Sequence, residues 1–292
     1  MSDEKRYPFV HLRASREDEE LLSYELFELG AFGVETRDQS TLLKNELGEL
    51  TLIASFSDVE GAEAAIAALG ESRAHLSFVE GDGFLDEWRR FFKPTRIGER
   101  VVIRPSWEPF DADPDDLVLV IDPGRAFGTG LHESTRLVIR CLESLDLNGV
   151  KILDLGTGSG VLSIAALLLG AERAFGTDID EEAVEVSLEN AAINGVGERF
   201  EAIAQERPAV SEPYPIVLAN IESRVLVPLA REIAETVEVG GKLILSGLLE
   251  DEAEKIEVAY PGFRRAALHQ ERDWIALILE KERAGGGEEA SG

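Results

Sequence analysis

The stretch VKILDLGTGSGVLSIAALLLG, residues 150–170, decides the fold that this sequence predicts. Its apolar run ILDL is followed at once by Gly156, Gly158 and Gly160, and then by an apolar helix pattern. A strand, a glycine turn and a helix in that order allow a ligand to approach the backbone closely. The stretch therefore predicts the first strand and helix of an α/β sheet with a ligand-binding loop between them.

Strand and helix patterns continue to alternate on the C-terminal side of this unit. The strand patterns are RAFGTDID, FEAIAQ, PIVLANI and KLILSG, and the helix patterns between them include EEAVEVSLENAAINGV and VLVPLAREIAETVE. This alternation is typical of a doubly wound parallel sheet with helices on both faces. The last segment, FRRAALHQERDWIALILEKE, predicts a two-stranded hairpin at the edge of that sheet.

The N-terminal part of the chain has a different pattern. From residue 7 to residue 80 the predicted order is strand, helix, strand, strand, helix, strand, which is the order of a ferredoxin-like α+β domain. Apolar residues at helical spacing give each helix one face for the sheet. They are Leu21, Leu22, Leu26 and Leu29 in the first helix, and Ala62, Ala65, Ile66 and Leu69 in the second.

These patterns predict two domains and a linker. We place a substrate-recognition domain at residues 1–80, a linker helix at 81–93, the larger α/β domain at 94–281 and a disordered tail at 282–292. In the linker, Trp88, Phe91 and Phe92 are expected to pack the helix against a neighbouring domain rather than to bind a partner.

Composition limits the class of partner. With 57 acidic and 29 basic residues the formal net charge is −28, and such a surface repels the phosphates of nucleic acids and attracts basic partners. The acidity is equally compatible with a role in solubility or with a salty cytoplasm. No apolar run approaches the length of a membrane span, and the N-terminus lacks the apolar core of a secretory signal. We therefore expect a cytoplasmic protein.

The single cysteine excludes some chemistry. Cys141 lies in the apolar stretch LVIRCLESL, where we expect a buried thiol rather than a nucleophile. One cysteine cannot form a disulfide or a thiolate metal site within one chain, and we expect no metal.

The glycine loop and an acidic residue together indicate an adenosine cofactor. Asp178 ends the strand FGTDID, 22 residues after Gly156, where its carboxylate can accept both ribose hydroxyls. A dinucleotide fingerprint would need a third glycine at Val161. Asp154 at the entry to the loop suits a sulfonium cation better than a pyrophosphate, although it could instead accept N–H groups of its own turn. We favour S-adenosylmethionine over NAD.

A third strand end indicates the reacting group. In LANIE, residues 218–222, Asn220 directly follows a buried run and so lies at the carboxyl edge of the sheet. Its amide oxygen could accept an N–H from an incoming amine, or its side chain could cap the following helix. After Asn220 this chain has Ile221, Glu222 and Ser223, where base methyltransferases have two prolines and an aromatic residue that stacks a flipped base. This favours an aliphatic amine as the acceptor.

A second glycine loop, DPGRAFGTGLHEST at residues 122–135, precedes the first strand of the sheet. His132 and Glu133 are candidates for a general base, although a solvated loop is the simpler explanation. Glu222, just after Asn220, is a candidate for binding a substrate cation.

These motifs together resemble the ribosomal protein L11 methyltransferase family. The resemblance covers nearly the whole chain and includes IRPSW, DPGRAFGTGLHEST, LDLGTGSG, GTDID, LANI and GGKLILSG in family order. It implies that S-adenosylmethionine donates methyl groups to lysine or N-terminal amino groups of ribosomal protein L11. It also implies a seven-stranded, Rossmann-like class I methyltransferase domain behind a small α+β recognition domain.

The resemblance further implies the site residues. Thr135, Gly156, Asp178 and Asn220 match the cofactor-contacting positions, and Asn220 is also expected to be catalytic, nearest the methyl transfer. The expected cofactor contacts extend to a further set: Phe127, Gly128, Thr129, Gly130, Asp154 and Gly158. The loop from Phe127 to Thr135 is expected to close over the cofactor as a lid. Leu131 and Ser134 depart from the family pattern in that loop.

The expected partner is ribosomal protein L11, with no direct reading of nucleic acid and no membrane, and the chain is expected to act as a monomer. Two other functions remain open at this point. One is methylation of a different protein lysine or of a small-molecule amine, and the other is a non-enzymatic adenosine-binding scaffold, which should have basic patches or a damaged cofactor site.

Overall fold

A computed structural model of the chain describes residues 6–16, 18–31, 33–37, 49–56, 58–70, 72–80, 92–122, 130–208 and 210–283. These residues form two compact units, the first within residues 1–93 and the second made of the described residues from 94 onward. Most of the predicted linker helix, with Trp88 and Phe91, lies outside the described residues, as does the tail from residue 284. No helix of the described part is long and apolar enough to cross a membrane.

The first unit follows the predicted order of strands and helices. Its elements are β1 (Arg6–Ser15), α1 (Glu19–Glu28), β2 (Gly33–Arg37), β3 (Glu49–Ser55), α2 (Val59–Leu69) and β4 (Ala74–Glu80). The sheet has the order β2-β3-β1-β4, and every neighbouring pair is antiparallel. Asp58 begins α2 by accepting the N–H of Gly61 at 2.8 Å, which satisfies a donor of the first turn.

The helices of this unit bury most of the predicted apolar faces against the sheet. Leu26, Ala62 and Ala65 are fully buried with Leu12 of the central strand β1. Leu21 is an exception, because 44% of its surface is exposed. The prediction that Leu21 faces the core was therefore wrong, since Leu22 next to it takes that direction and the helix turns Leu21 toward solvent.

The second unit contains the larger set of elements. They are β5 (Thr95–Arg96), β6 (Val101–Arg104), β7 (Leu117–Val120), α3 (Glu133–Glu143), β8 (Lys151–Leu155), α4 (Val161–Leu168), β9 (Arg173–Asp178), α5 (Glu181–Ile193), β10 (Phe200–Ala204), β11 (Tyr214–Asn220), α6 (Ser223–Leu226), α7 (Ala230–Glu235), β12 (Val237–Leu249), α8 (Ala253–Ala259), β13 (Phe263–Glu271) and β14 (Trp274–Lys281).

Seven of these strands form one sheet with the order β10-β9-β8-β11-β12-β14-β13. The five strands from β10 to β12 are parallel, whereas β14 runs antiparallel to β12 and β13 antiparallel to β14. The predicted parallel sheet and its terminal hairpin are therefore confirmed. The order reverses at β8 and β11, and a ligand crevice forms where the order of a parallel sheet reverses.

The core of this unit explains why its central strands are almost wholly apolar. Leu153, Val217 and Ala219 of the central strands are fully buried, because helices cover both faces of a parallel sheet. Cys141 is likewise buried in α3, as predicted, and burial raises the pKa of its thiol to about 12.

Two features of this unit differ from the sequence prediction. The helix predicted through VLVPLAREIAETVE is two short helices, α6 and α7, because Pro228 between them lacks a backbone donor and clashes with the preceding turn. The strands β5 and β7 were not predicted at all. They flank β6 in a separate three-stranded sheet with the order β5-β6-β7.

Candidate active site

The predicted glycine loop connects β8 to α4. Gly156, Gly158 and Gly160 have φ values of +71°, +52° and +79°, a region that glycine adopts without steric cost. The N–H groups of Gly156 and Thr157 both donate to the carbonyl of Thr177, at 2.8 and 2.9 Å. These bonds hold the loop backbone at the carboxyl edge of the sheet, where ligands bind in this kind of fold.

Asp154 lies in β8 beneath this loop and is fully buried. Its Oδ2 accepts hydrogen bonds from the hydroxyls of Thr157 at 2.9 Å and Ser163 at 2.7 Å. Burial raises the pKa of Asp154 to about 6, because desolvation disfavours the charged form. Asp154 thus connects the loop to α4 through hydroxyl groups, and its direct contact with a cofactor stays a prediction.

Asp178 is the last residue of β9 and is adjacent to the same loop. Its Oδ2 accepts the N–H of Gly158 at 2.8 Å, and its Oδ1 accepts the N–H of Asp180 at 3.1 Å. Each carboxylate oxygen has two lone pairs, so both oxygens keep a site for a further donor. This arrangement can accept the two hydroxyls of a ribose.

Asn220 is the last residue of β11 and lies beside Ser246 of β12 in the sheet register. Its Nδ2 donates to Oγ1 of Thr135 at 3.3 Å, while its Oδ1 is buried with no partner among the described residues. Asn220 does not cap the next helix, because the N-cap of α6 is Glu222. A buried oxygen without a donor is costly, and a ligand donor would remove that cost.

Thr135 reaches Asn220 from the first turn of α3. The sequence predicted a lid loop over Phe127–Thr135, but α3 begins at Glu133, and Thr135 is 1% exposed. That prediction was therefore wrong for the last three residues of the loop. The physical reason is that His132 caps the helix, its Nδ1 accepting the N–H of Ser134 at 3.2 Å.

The remaining residues of the second glycine loop can be placed only in part. Phe127, Gly128 and Thr129 lie outside the described residues. Gly130 is buried with a φ of +79°, and a Cβ atom there would lie 2.2 Å from Cδ1 of Ile103. A larger residue here would require the Ile103 side chain of β6 to shift, and the positive φ also favours glycine.

The contacts of the His132 side chain are those of a structural residue. Its ring packs edge-on against Trp274 with centroids 4.7 Å apart, and its Nδ1 is used by the cap. Burial lowers the pKa of His132 to about 4, so the imidazole is neutral near pH 7. Glu133 forms an ion pair with Arg136 at 2.8 Å. Nδ1 of His132 and the carboxylate of Glu133 are thus used in structural contacts, and a role of either residue as a general base stays a prediction.

Two other features of the site concern residues near Asn220. Glu222, proposed from sequence for a substrate cation, forms an ion pair with the exposed Arg224.

Sequence reasoning missed Ile221, whose Cγ2 would lie 2.6 Å from a Cβ at Gly156. It also missed Gly247, where a Cβ would come within 3.1 Å of the Ile221 backbone. The only sequence signal for this packing was the presence of the two glycines.

The structure thus brings the candidate residues together in two groups. Gly156, Gly158 and Asp178 form one group, and Thr135 with Asn220 forms the other. Ile221 connects them, because it follows Asn220 directly and packs against Gly156. The glycine loop, the carboxylate of Asp178 beside it and an amide oxygen of Asn220 that has no partner among the described residues fit a cofactor that combines an adenosine with an amino acid. Together with the sheet order and its antiparallel hairpin, this arrangement defines a class I methyltransferase.

Comparison with known proteins identifies the family. A model of the family described as ribosomal protein L11 methyltransferase (PrmA) matches residues 6–282. This chain belongs to the ribosomal protein L11 methyltransferase family, and the resemblance drawn from its motifs is confirmed.

Curated relatives and a solved structure agree with this assignment. The chain is 47% identical to a ribosomal protein L11 methyltransferase of Sorangium cellulosum over 274 residues, covering 91% of this chain and 86% of the relative. It is 37% identical to one of Geobacter metallireducens, covering 89% of each chain. It also resembles the crystal structure of a ribosomal protein L11 methylase from Lactobacillus delbrueckii subsp. bulgaricus, with a TM-score of 0.62, 28% identity, and coverage of 66% of this chain and 100% of that one.

Proposed function

We propose that this enzyme transfers methyl groups from S-adenosylmethionine to amino groups of ribosomal protein L11, on lysine side chains, the N-terminal amine or both. The family match over residues 6–282 and the names of the relatives support that substrate. The observation that carries the chemistry is the Oδ1 of Asn220 at the carboxyl edge of the sheet, which is buried and has no partner within the described part of the chain. A different protein lysine or a small-molecule amine is not favoured.

The residues of the first group would hold the adenosine part of the cofactor. When bound, S-adenosylmethionine supplies a methyl group on a sulfonium, which an amine attacks in line. Asp178 would accept the ribose hydroxyls, and the backbone at Gly156 and Gly158 would approach the cofactor closely. Thr135 and Asn220 would contact its other end. The proposed cofactor contacts from the second glycine loop are Phe127, Gly128, Thr129 and Gly130.

Asn220 would act on the substrate amine. A lysine amine has a pKa of about 10.4, so it must lose a proton before it can react. Oδ1 of Asn220 accepts one N–H of the neutral amine and directs the nitrogen lone pair at the methyl group. The amine held in this way would take up the methyl group that the bound cofactor supplies, and its extra proton would pass to water. No dedicated base is needed, which agrees with the capping role of His132.

Positioning supplies much of the acceleration in this reaction. The amine nitrogen has to be held about 3 to 3.5 Å from the methyl carbon and aligned with the breaking bond. Asn220 suits this task because its position is fixed by β11, a rigid central strand, and by its bond to Thr135.

The first unit is proposed to recognise the substrate. Its βαββαβ element order and the strand order β2-β3-β1-β4 support a ferredoxin-like domain. We propose domain bounds of 1–80 for recognition, 81–93 for the linker, 94–281 for catalysis and 282–292 for the tail. The net charge of −28 favours a basic substrate. We further propose that the enzyme acts as a monomer in the cytoplasm, where ribosomal proteins are made.

Mass spectrometry tests this function. Ribosomal protein L11 is incubated with S-adenosylmethionine and either the wild-type enzyme or the Asp178→Ala variant. We expect mass increments of one methyl group, about 14 Da each, only with the wild-type enzyme, because only it binds the cofactor through Asp178. An unmodified substrate, with cofactor binding still detected by calorimetry, would contradict the proposed substrate while leaving the proposed cofactor in place.

A further inference from the structure

We propose that Thr135 determines which end of the Asn220 side-chain amide faces the substrate amine, and that cofactor binding locks this orientation. The inference rests on the proposed function and concerns the same site. An amide has an acceptor oxygen at one end and an NH₂ donor at the other. If the NH₂ end faced the amine, it would donate to the nitrogen lone pair that must attack the methyl group. Only one of the two orientations can therefore support transfer.

The structure holds the productive orientation. Nδ2 of Asn220 donates to Oγ1 of Thr135 at 3.3 Å, so the opposite end, Oδ1, is the one left without a partner among the described residues. Asn220 is the terminal residue of a buried parallel strand. The two ends of the amide exchange by rotation about the side-chain χ2 bond, so the orientation depends on the partners of the side chain.

A hydroxyl can both donate and accept, so Thr135 selects one orientation only if its own proton is used elsewhere. The cofactor provides such an acceptor, because its methionine carboxylate has lone pairs and no proton to donate. Thr135 lies in the first turn of α3, an eleven-residue helix, and the N-terminus of a helix favours an anionic group. With its proton given to that carboxylate, Oγ1 of Thr135 can only accept, and Asn220 must donate to it.

Several contacts prevent Thr135 from moving away. The hydroxyl of Ser246 lies 3.2 Å from the carbonyl oxygen of Ser134 and 2.9 Å from that of Ile275 and can donate its proton to either, which places the first turn of α3 against two strands. On the other side, Arg136 forms an ion pair with Glu271 of β13. The first turn of α3 is thereby fixed on both sides of Thr135.

This relay predicts an order of events. Cofactor binding fixes the Thr135 hydroxyl, the hydroxyl fixes the Asn220 amide, and the amide then accepts the amine in a productive orientation. The amine should therefore be positioned for transfer only when the cofactor is present.

The test compares Thr135→Val, which keeps the shape of the side chain without the hydroxyl, with Thr135→Ser, which keeps the hydroxyl. Using ribosomal protein L11 as the substrate and saturating S-adenosylmethionine, we expect kcat to fall at least tenfold for Thr135→Val and less than threefold for Thr135→Ser. Calorimetry gives the cofactor Kd separately, and thermal unfolding confirms that both variants fold. A Thr135→Val enzyme with a weaker cofactor Kd but an unchanged kcat would overturn the proposal, because Thr135 would then be a cofactor contact only.

A second measurement needs no activity and follows the wild-type enzyme, with a variant used only to assign the resonances. The side-chain NH₂ resonances of Asn220 are assigned in ¹⁵N-labelled wild-type enzyme by their absence from Asn220→Ala. We expect S-adenosylhomocysteine to slow the hydrogen exchange of this NH₂ group, because Thr135 then accepts from it continuously. Unchanged exchange would overturn the relay. A wild-type enzyme that shows the slower exchange but does not methylate ribosomal protein L11 would refute the proposed substrate instead.

Discussion

Asp178 accepts the backbone N–H of Gly158 through its Oδ2 at 2.8 Å. This hydrogen bond joins the acid at the end of β9 to the glycine loop that follows the neighbouring strand β8. Loss of the carboxylate should remove a ribose acceptor and also release the loop backbone. This double role makes Asp178 the most informative position for testing the cofactor site.

The Asp178→Ala variant should bind S-adenosylmethionine at least tenfold more weakly, because hydrogen bonds to a charged group contribute about 1.5 to 3 kcal/mol. Calorimetry on the purified enzyme measures the change. Asp180→Ala is a matched control two residues away, since Asp180 caps α5 by accepting the N–H of Glu182 at 2.8 Å. It should cost about 1 kcal/mol of stability without changing the cofactor Kd. Equal losses of affinity in the two variants would contradict the assignment.

Gly156→Ala separates steric contact from backbone strain at the loop. Gly156 has a φ of +71°, and a Cβ there would lie 2.6 Å from Cγ2 of Ile221. Gly195, with a φ of +70° and nothing within 4 Å of its Cβ position, is the control. Each alanine should cost about 1 kcal/mol in unfolding free energy from the positive φ.

Only Gly156→Ala should also weaken cofactor binding, by at least tenfold, because the methyl group displaces Ile221 beside the loop. Urea unfolding and calorimetry on both variants make the comparison. An unchanged cofactor Kd in Gly156→Ala would mean that the loop backbone does not approach the cofactor.

Much of the fold could be predicted from the sequence because its signals are local. The apolar runs that end in Leu155 and Asn220 are buried on both faces, and such runs identify central parallel strands without knowledge of the partners. The same logic placed Asp154, Asp178 and Asn220 at or near the carboxyl ends of strands, since the ends of parallel strands meet at one edge.

The features that sequence could not predict depend on contacts between distant residues. Thr135 is buried because α3 starts at Glu133. That start depends on His132, which caps the helix and packs edge-on against Trp274. Trp274 is far away in the chain, so no local pattern connects it with the loop. The strands β5 and β7, which pair with β6, were also missed. They have only two and four residues, too few for a pattern that identifies a strand.

Asn220→Ala should lower kcat at least tenfold, because the amine loses the acceptor that orients its lone pair. Steady-state kinetics with ribosomal protein L11 at saturating cofactor measure this. Asn148→Ala is a control, since among the described residues the hydrogen bonds of Asn148 are to Asp146 in its own exposed turn, at 3.0 and 3.1 Å, and the kcat of this variant should match the wild type. An unchanged kcat in Asn220→Ala would remove this residue from the mechanism.

Asp154 should make the enzyme less stable as pH rises. Burial raises the pKa of Asp154 in the folded enzyme to about 6, above the ordinary 3.8. The folded state therefore binds the extra proton between these values, and the stability contributed by this group is lost as pH rises from about 4 to about 6. The wild type should lose roughly 2 to 3 kcal/mol relative to Asp154→Asn over that range. Urea unfolding of both proteins at several pH values tests this, and a constant difference would contradict it.

His132 should have the opposite effect in nearly the same pH range. Burial among Glu133, Arg136 and Glu271 gives a net lowering of the pKa of His132 to about 4 from 6.5, with desolvation as the main cause. The unfolded chain then binds the extra proton, so the stability contributed by His132 is lost as pH falls from about 6.5 to about 4. His132→Asn removes the titration but keeps a good helix cap. The wild type should lose roughly 3 kcal/mol relative to this variant on acidification through that range. If urea unfolding gives the same difference at pH 7 and pH 4, His132 is not held neutral by the fold and could again be considered as a base.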